Sequence, residues 1–288
     1  MRIATVLHDA SPDHDGAPLF PTVALERDGA LYGVAALARA FGPRYAQVAD
    51  DADFHHTVVA LGAATLCELD ERLKAGERPS AARLLPGSFT WLPPCDMERA
   101  AFFECGGGGA GDRGDRGDSS AGPAFAIGSA RAFFGHEATV PLPVPAPFGE
   151  IAAVAELELE VEGALGVMLA DDLWRATEAE AARAILGYTL VQGWRARGGG
   201  ERAPRAAVQL GPVLVTCDEV GATDALRTQL RIEGAPLATG VLGAQRFSPA
   251  ESIAWISHHV PLRAGDVIAA GRMRMPGGVL RDEGVTLQ

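Results

Sequence analysis

Residues 155–197, AELELEVEGALGVMLADDLWRATEAEAARAILGYTLVQGWRAR, carry the reading that decides the fold. Ala155–Val161 and Ala164–Leu169 are β-like runs, and residues at i and i+2 of a strand share a face. Glu156, Glu158, Glu160 and Glu162 therefore fall on one side of the first run. Like charges in such a row are destabilising unless water or a cation neutralises them. Two readings follow: a solvent-facing edge strand with its leucines buried, or a carboxylate face gathered around an ion. A helix is expected next over Thr177–Leu186. Thr177 is its N-cap, Glu180 completes a capping box, and Gly187 is its stop. A further short strand, Thr189–Val191, follows.

Outward from this stretch the pattern stays rich in strands: Phe125–Ile127, Ala138–Leu142, Val213–Thr216, Leu230–Ile232 and Val267–Ala270. A second helix is expected over Ser248–His258, with Ser248 as N-cap, Pro249 first and Glu251 third. His258 and His259 cap its C-terminal end, where positive charge is favoured. Many short strands with few helices indicate an α+β, largely β domain. Residues 1–85 read as a small N-terminal unit. Arg2–Leu7 is a strand, and Thr22–Glu26 and Ala30–Val34 form a hairpin about Asp28-Gly29. Helical spacing follows over Ala35–Phe41 and Thr65–Ala75, and the adjacent His55-His56 pair reads as solvated surface. Residues 86–122 form a linker and a glycine-rich segment with almost no apolar side chains, expected to be mobile. Its Arg-Gly-Asp repeats read as coincidence. Residues 123–288 form the larger domain, with a pocket segment beginning near residue 91.

The chain of 288 residues is 48% hydrophobic, carries a formal charge of −12 and has a pI near 5.0. A sizeable core is available, and nucleic acid is an unsuitable partner because phosphate binding needs a basic stripe. No apolar run reaches the ~18 residues of a membrane span. The first residues lack the basic and apolar regions of an export signal, so a cytoplasmic location is expected. Cys67, Cys95, Cys105 and Cys217 fall at no metal-finger spacing. Lys74 is the only lysine.

Several segments, in order, resemble the large domain of the fumarylacetoacetate hydrolase superfamily. TEAEAARAILGYTLVQGWRAR is similar to its helix followed by Gly-Tyr-Thr, a branched pair, Asn-Asp and an Arg. LGPVLVTCDEV (Leu210–Val220) resembles its Leu-Gly-Pro segment, and Leu230–Gly271 resembles its last third, ending in a Gly-Asp-Val-Ile run. The likeness covers about residues 91–285. It implies a mixed β-roll, a homodimer, a divalent cation such as Mg²⁺ or Mn²⁺, and small oxo- or keto-acid substrates cleaved, decarboxylated or hydrated beside a carbonyl.

The resemblance also implies a site. Glu160 and Glu162 stand at its Glu-x-Glu metal pair, with Glu162/Ala164 as the alternative register. Glu98 stands at an early metal-binding acid, with Asp96 as competitor. Cys105 falls where the family has a histidine base, although a thiol at its ordinary pKa is a poor replacement at neutral pH. Gln192-Gly193 replaces Asn-Asp, which removes a carboxylate and leaves Gln192 and Tyr188 as substrate contacts. The family's first lysine falls near Ile127 and its second near Arg202, a catalytic cation in planar form. A substrate-binding Thr-Gly-Thr becomes Ala270-Gly271-Arg272, where Arg272 and Arg274 could hold a carboxylate bidentately.

Acids and the general base are thinned while arginines appear. The sequence therefore reads as an altered enzyme of this superfamily, a hydrolase or lyase acting on a small oxo-acid with a weak cation. The alternative is a non-catalytic pseudoenzyme binding a small molecule or partner on the same fold. An unaltered C–C hydrolase would need carboxylates the chain lacks, and a Cys105–His136 hydrolase has no local signature.

Overall fold

The computed structural model describes residues 1–8, 20–48, 54–106, 122–140, 159–196, 207–232, 235–241 and 245–274. The chain opens with β1 (Arg2–His8), β2 (Phe20–Arg27), β3 (Ala30–Gly33), α1 (Val34–Phe41) and α2 (Ala63–Lys74). Short strands β4 (Arg83–Leu84) and β5 (Phe89–Leu92) lead to β6 (Ala101–Gly106), β7 (Ala124–Ser129) and β8 (Phe133–Phe134). The central elements are β9 (Leu159–Leu169), α3 (Glu178–Arg183), β10 (Ile185–Ala196), β11 (Ala207–Leu210), β12 (Val213–Thr216) and α4 (Cys217–Val220). Then come β13 (Arg227–Ile232), β14 (Ala235–Val241), α5 (Pro249–Ser257) and β15 (Val267–Arg274). The fold is α+β with a mixed, largely β architecture, as the sequence reading expects.

One sheet of 13 strands runs through both halves of the chain in the order β4-β3-β2-β1-β12-β10-β9-β15-β6-β7, with β5, β8 and β11 paired alongside. The hairpin at Asp28-Gly29 forms as expected. Both residues adopt positive φ, 53° and 75°, as a two-residue primed turn between right-twisted strands requires. Antiparallel pairing of β1 with β12, Ile3 opposite Leu214, joins the N-terminal strands to the rest of the sheet. The lone lysine works locally here: Lys74 reaches Asp70 at 3.1 Å, and Arg27 Nη2 donates to the same buried carboxylate at 2.6 Å.

Strand alternation sorts the core into two sides. Phe102, Met168, Val267 and Ala269 join one cluster with Leu37, Leu66, Leu69 and Leu73 of α1 and α2. Phe103, Val167, Leu169 and Ile268 join a second with Ile253 and Ile256 of α5 and Ala181 of α3. Each fully buried isoleucine stabilises by about 1.5–3 kcal/mol relative to exposure. Both helices against this second side start where the sequence sets them: Thr177 with Glu180 and Ser248 with Glu251 each form a reciprocal capping box. Ser248–His258 is observed as Pro249–Ser257, with His258 as C-cap and His259 Nδ1 2.9 Å from the Trp255 carbonyl.

Four expectations need correction. The helix read over Thr177–Leu186 ends at Arg183, and Gly187 lies inside β10 instead of stopping the helix. Thr189–Val191 is the middle of a 12-residue strand, since Ile185 already pairs with Leu169. At Glu162 the glutamate-bearing run is not a solvent-facing edge, because β9 pairs there with both β10 and β15, while Glu156 and Glu158 lie outside the described residues. Ala138–Val140 forms no strand, and Pro141–Leu142 lie outside the described residues, as do 107–121 with their Arg-Gly-Asp repeats.

Candidate active site on the face of β9

Cross-strand partners share a face of a sheet, so the register assigns each candidate residue to a side. On β9, Glu162 lies opposite Gly193 of β10 and opposite Arg274 of β15. Glu160 lies opposite Arg195. Because i and i+2 alternate back to the same face, backbone positions 160, 162, 193, 195 and 274 share one side, and of their charged side chains only that of Glu162 is described. Ala164 and Met168 continue that side into the first core cluster. Glu162 is only 5% exposed, so its carboxylate is held inside the protein, and it is engaged by a polar or electrostatic partner. Gly193 puts a hydrogen where the resemblance places a third carboxylate.

The opposite side carries a different set. Cys105, Tyr188 and Leu165 belong to the second cluster, and Gln192 pairs with Gly163 on that same side. Burial, with a smaller contribution from Cys217, pushes the Tyr188 phenol up to about 12, so it stays protonated as a hydrogen-bonding group. Cys217 donates to the Ile185 carbonyl at 3.0 Å, and burial raises its thiol too. Trp194 Nε1 donates to Gln209 Oε1 at 3.1 Å, and Gln209 Nε2 to the Ala138 carbonyl at 3.0 Å. Gln192 Nε2 is buried beside this network with no hydrogen-bond partner among the described residues.

The structure therefore divides the set expected from sequence. Glu160 and Glu162 come together in register, while Cys105, Tyr188 and Gln192 lie behind the sheet from them. Glu98 does not join. It is exposed in the turn before β6, where Asp96 Oδ1 accepts from the Glu98 and Arg99 amides at 2.9 and 3.1 Å. That turn sits at the Val267 end of β15, since Phe102 pairs with Val267, whereas Glu162 pairs with Arg274 at the other end. At 3.3 Å per residue these ends are roughly 20 Å apart, too far for one ion. Asp96 is excluded from a shared site by the same distance. Among the described residues no group of three or more His, Cys, Asp or Glu could hold a metal ion. Hard divalent cations usually keep several waters and are held by one or two carboxylates; of the expected acids, Glu162 is the one whose side chain the structure places inside this face. Arg202 lies outside the described residues, and Arg272 is placed only by its backbone in β15.

Two features escaped sequence reading. Arg195 becomes the cross-strand neighbour of Glu160 only once the β9–β10 register is known, although alternation from Gly193 puts it on that side. The second is a bulge: β15 takes three steps from Ala270 to Met273 while β9 takes two from Leu165 to Gly163. Gly271, at φ 65°, supplies the left-handed residue that such a bulge uses. Without the extra residue Met273 would stand opposite Glu162; with it, Arg274 does.

The fold and the sequence both have relatives. In solved structures, the chain is similar to maleylpyruvate hydrolase from Sphingobium sp. SYK-6 in complex with manganese(II) and pyruvate. The TM-score is 0.68 at 19% identity, over 98% of this chain and 90% of that one. It is also similar to fumarylacetoacetate hydrolase from psychrophilic Exiguobacterium antarcticum, at 0.65 and 19%, over 96% and 88%. By sequence it is 29% identical over 130 residues to oxaloacetate tautomerase YisK of Bacillus subtilis. It is 30% identical over 126 residues to 2,4-didehydro-3-deoxy-L-rhamnonate hydrolase of Sphingomonas sp.. These alignments take in 42% and 39% of this chain and 42% of the length of each relative. A profile described as fumarylacetoacetate (FAA) hydrolase C-terminal matches residues 110–288, and the chain, with its strand order and its glutamate pair on a central strand, belongs to that family.

Proposed function

We propose that this chain is an altered family enzyme that moves a proton beside the carbonyl of a small 2-oxo acid, interconverting keto and enol forms. The observation that carries this is Glu162, a buried carboxylate on a central strand, with Gly193 across from it on β10. Proton transfer asks for one positioned acid–base group. Hydrolysis of a C–C bond also asks for an activated water, and Cys105, which stands at the family's base position, is on the far side of the sheet.

Glu162 takes the proton from the carbon next to the carbonyl. The C–H electron pair becomes the C=C bond and the carbonyl pair moves to oxygen, which accepts the same proton from Glu162. Mg²⁺ or Mn²⁺ would draw on Glu160 and Glu162, a weak pair, so no step is assigned to an ion. The relatives support this class of substrate, one being named an oxaloacetate tautomerase and another being in complex with pyruvate. The homodimer and the cytoplasmic location expected from sequence belong to the same reading. No helix among the described residues is long and apolar enough to cross a membrane.

The test follows loss of the enol absorbance of oxaloacetate and of acylpyruvates. Wild-type protein should accelerate it, and Glu162→Gln should slow it by about 100-fold or more, the usual contribution of a general acid–base group. Full activity in that variant would remove Glu162 from the chemistry. No turnover of any oxo-acid by folded wild type would leave the non-catalytic binding protein as the better description.

A further inference from the structure

The large sheet ends at β7. It pairs with β6 from Ala101↔Ser129 to Gly106↔Ala124 and, among the described residues, with no strand on its other side. An edge strand presents a row of free N–H and C=O groups, which proteins blunt with charge, proline or a bulge. Residues 124–129, AFAIGS, carry no charge, no proline and no register shift, and all but Phe125 are exposed. Ile127 and Phe125 pair with Phe103 and Cys105 and so share the face of the second core cluster. On that face Ile127 is 59% exposed. Phe125 meets His259 edge-on, and His259 lies 4.8 Å from the exposed ring of Trp255 on α5. Ala124, Ala126 and Gly128 give the other face hardly any side chain.

We propose that β7 is the seam of a two-fold dimer, pairing antiparallel with β7 of a second copy so that the two sheets become continuous. A two-fold through Ala126 keeps side chains on matching faces. It sets Ala126 against its counterpart and places Phe125 across from Ile127 twice, an aromatic–β-branched pair of the kind that stabilises sheets. Charge selects this occupant. At a formal −12 per chain two copies repel over most of their surfaces, and an uncharged strip is where they can meet. A two-fold asks for only one self-complementary patch. A foreign peptide added to an edge is read by pockets for alternate side chains, and two alanines and a glycine offer none. The homodimer expected from sequence thereby gains a surface. It lies three strands, roughly 14 Å, from β9, and it does not depend on the proton-transfer chemistry.

Sedimentation velocity on the full chain at micromolar concentration reads the assembly, with circular dichroism confirming that each variant is folded. Wild type should sediment as twice the 30.0 kDa chain. Ile127→Asp should weaken the dimer by roughly tenfold or more, because like charges brought together across an interface cost affinity. Cross-linking reads the register. In a Cys67→Ser background, which removes an exposed native thiol, mild oxidation should join Ala126→Cys chains into a covalent dimer. Ser129→Cys should not cross-link, since its counterpart would stand roughly 20 Å away along the strands. Wild type that stays monomeric would overturn the proposal. So would a dimer that folded Ile127→Asp leaves intact, or one in which Ala126→Cys fails to cross-link. If Ile127→Asp does not fold, the wild-type mass and the Ala126→Cys cross-link still decide. Neither readout uses turnover. A dimer without activity on any oxo-acid sinks the proton-transfer reading alone, and an active monomer sinks this one alone.

Discussion

Asp266 is the sharpest single-residue constraint outside the candidate site. It is 3% exposed and accepts two backbone amides, Ala101 through Oδ1 and Arg263 through Oδ2, each at 2.8 Å. One carboxylate thus ties the turn before β15 to the first residue of β6. Burial is the largest influence on its acidity and raises its pKa despite the two donors, which pull it down. A raised folded pKa means that the ionised form is disfavoured in the fold. The contribution of Asp266 to stability is therefore greatest below the ordinary carboxylate range and falls as pH rises through its raised value. Asp266→Asn keeps one acceptor and turns an NH₂ toward the other amide, so it should cost about 1–3 kcal/mol at neutral pH. Urea unfolding at pH 4 and pH 7 checks both points: the variant should be less stable at pH 7, and the gap to wild type should widen at pH 4. A gap that narrows toward pH 4 would show that Asp266 is not penalised by burial. At this scale sequence spoke unevenly. Alternation put Glu162 beside Glu160 without any coordinates. Glu98 does not join them because β6 runs from its turn alongside Val267–Ala269, the end of β15 opposite to Arg274.

At the scale of elements, local chemistry was legible and long-range pairing was not. The Asp28-Gly29 turn and both capping boxes formed as their residues demand, since each is closed within four residues. The end of the first helix was misread because Gly187 serves a partner 28 residues away. A Cβ at Gly187 would lie 2.4 Å from the Val215 carbonyl oxygen and 3.0 Å from Thr216 Cα, both backbone atoms of β12. Glycine is needed there so that β10 and β12 can approach, and the helix yields at Arg183 because Ile185 is already committed to Leu169. Gly187→Ala should accordingly destabilise by about 2–4 kcal/mol, in the range of overpacked and strained sites. A helix-stop role predicts a smaller loss of about 1–2 kcal/mol, the cost of putting a Cβ in the left-handed conformation of a C′ glycine. Thermal melts of the single variant distinguish the two directly.

The whole molecule is governed by the continuity of the sheet across the Pro-rich segment at residues 84–94. Sequence composition changes there, and a boundary near residue 85 is a fair reading of it, but composition carries no information about which strands pair. Ile3 opposite Leu25 and Leu214 binds β1 to strands on both sides of that segment, and Thr5 opposite Leu92 binds it to a strand within the segment. The first core cluster is likewise shared, with Leu37, Leu66 and Leu73 packed into the same group as Phe102, Met168 and Val267. Removing residues 1–85 would bare that face, and large core side chains left exposed forfeit about 1.5–3 kcal/mol each, against a total stability of only about 5–15 kcal/mol for a typical protein. Wild-type protein should therefore unfold in guanidinium as one transition, with tryptophan fluorescence and far-ultraviolet circular dichroism superimposing. A chain beginning at residue 86 should show no cooperative transition and should bind hydrophobic dyes. Two separated transitions in the full chain, or a cooperatively folded 86–288 fragment, would mean that the N-terminal strands are an appendage and that β9 with its glutamates holds its place without them.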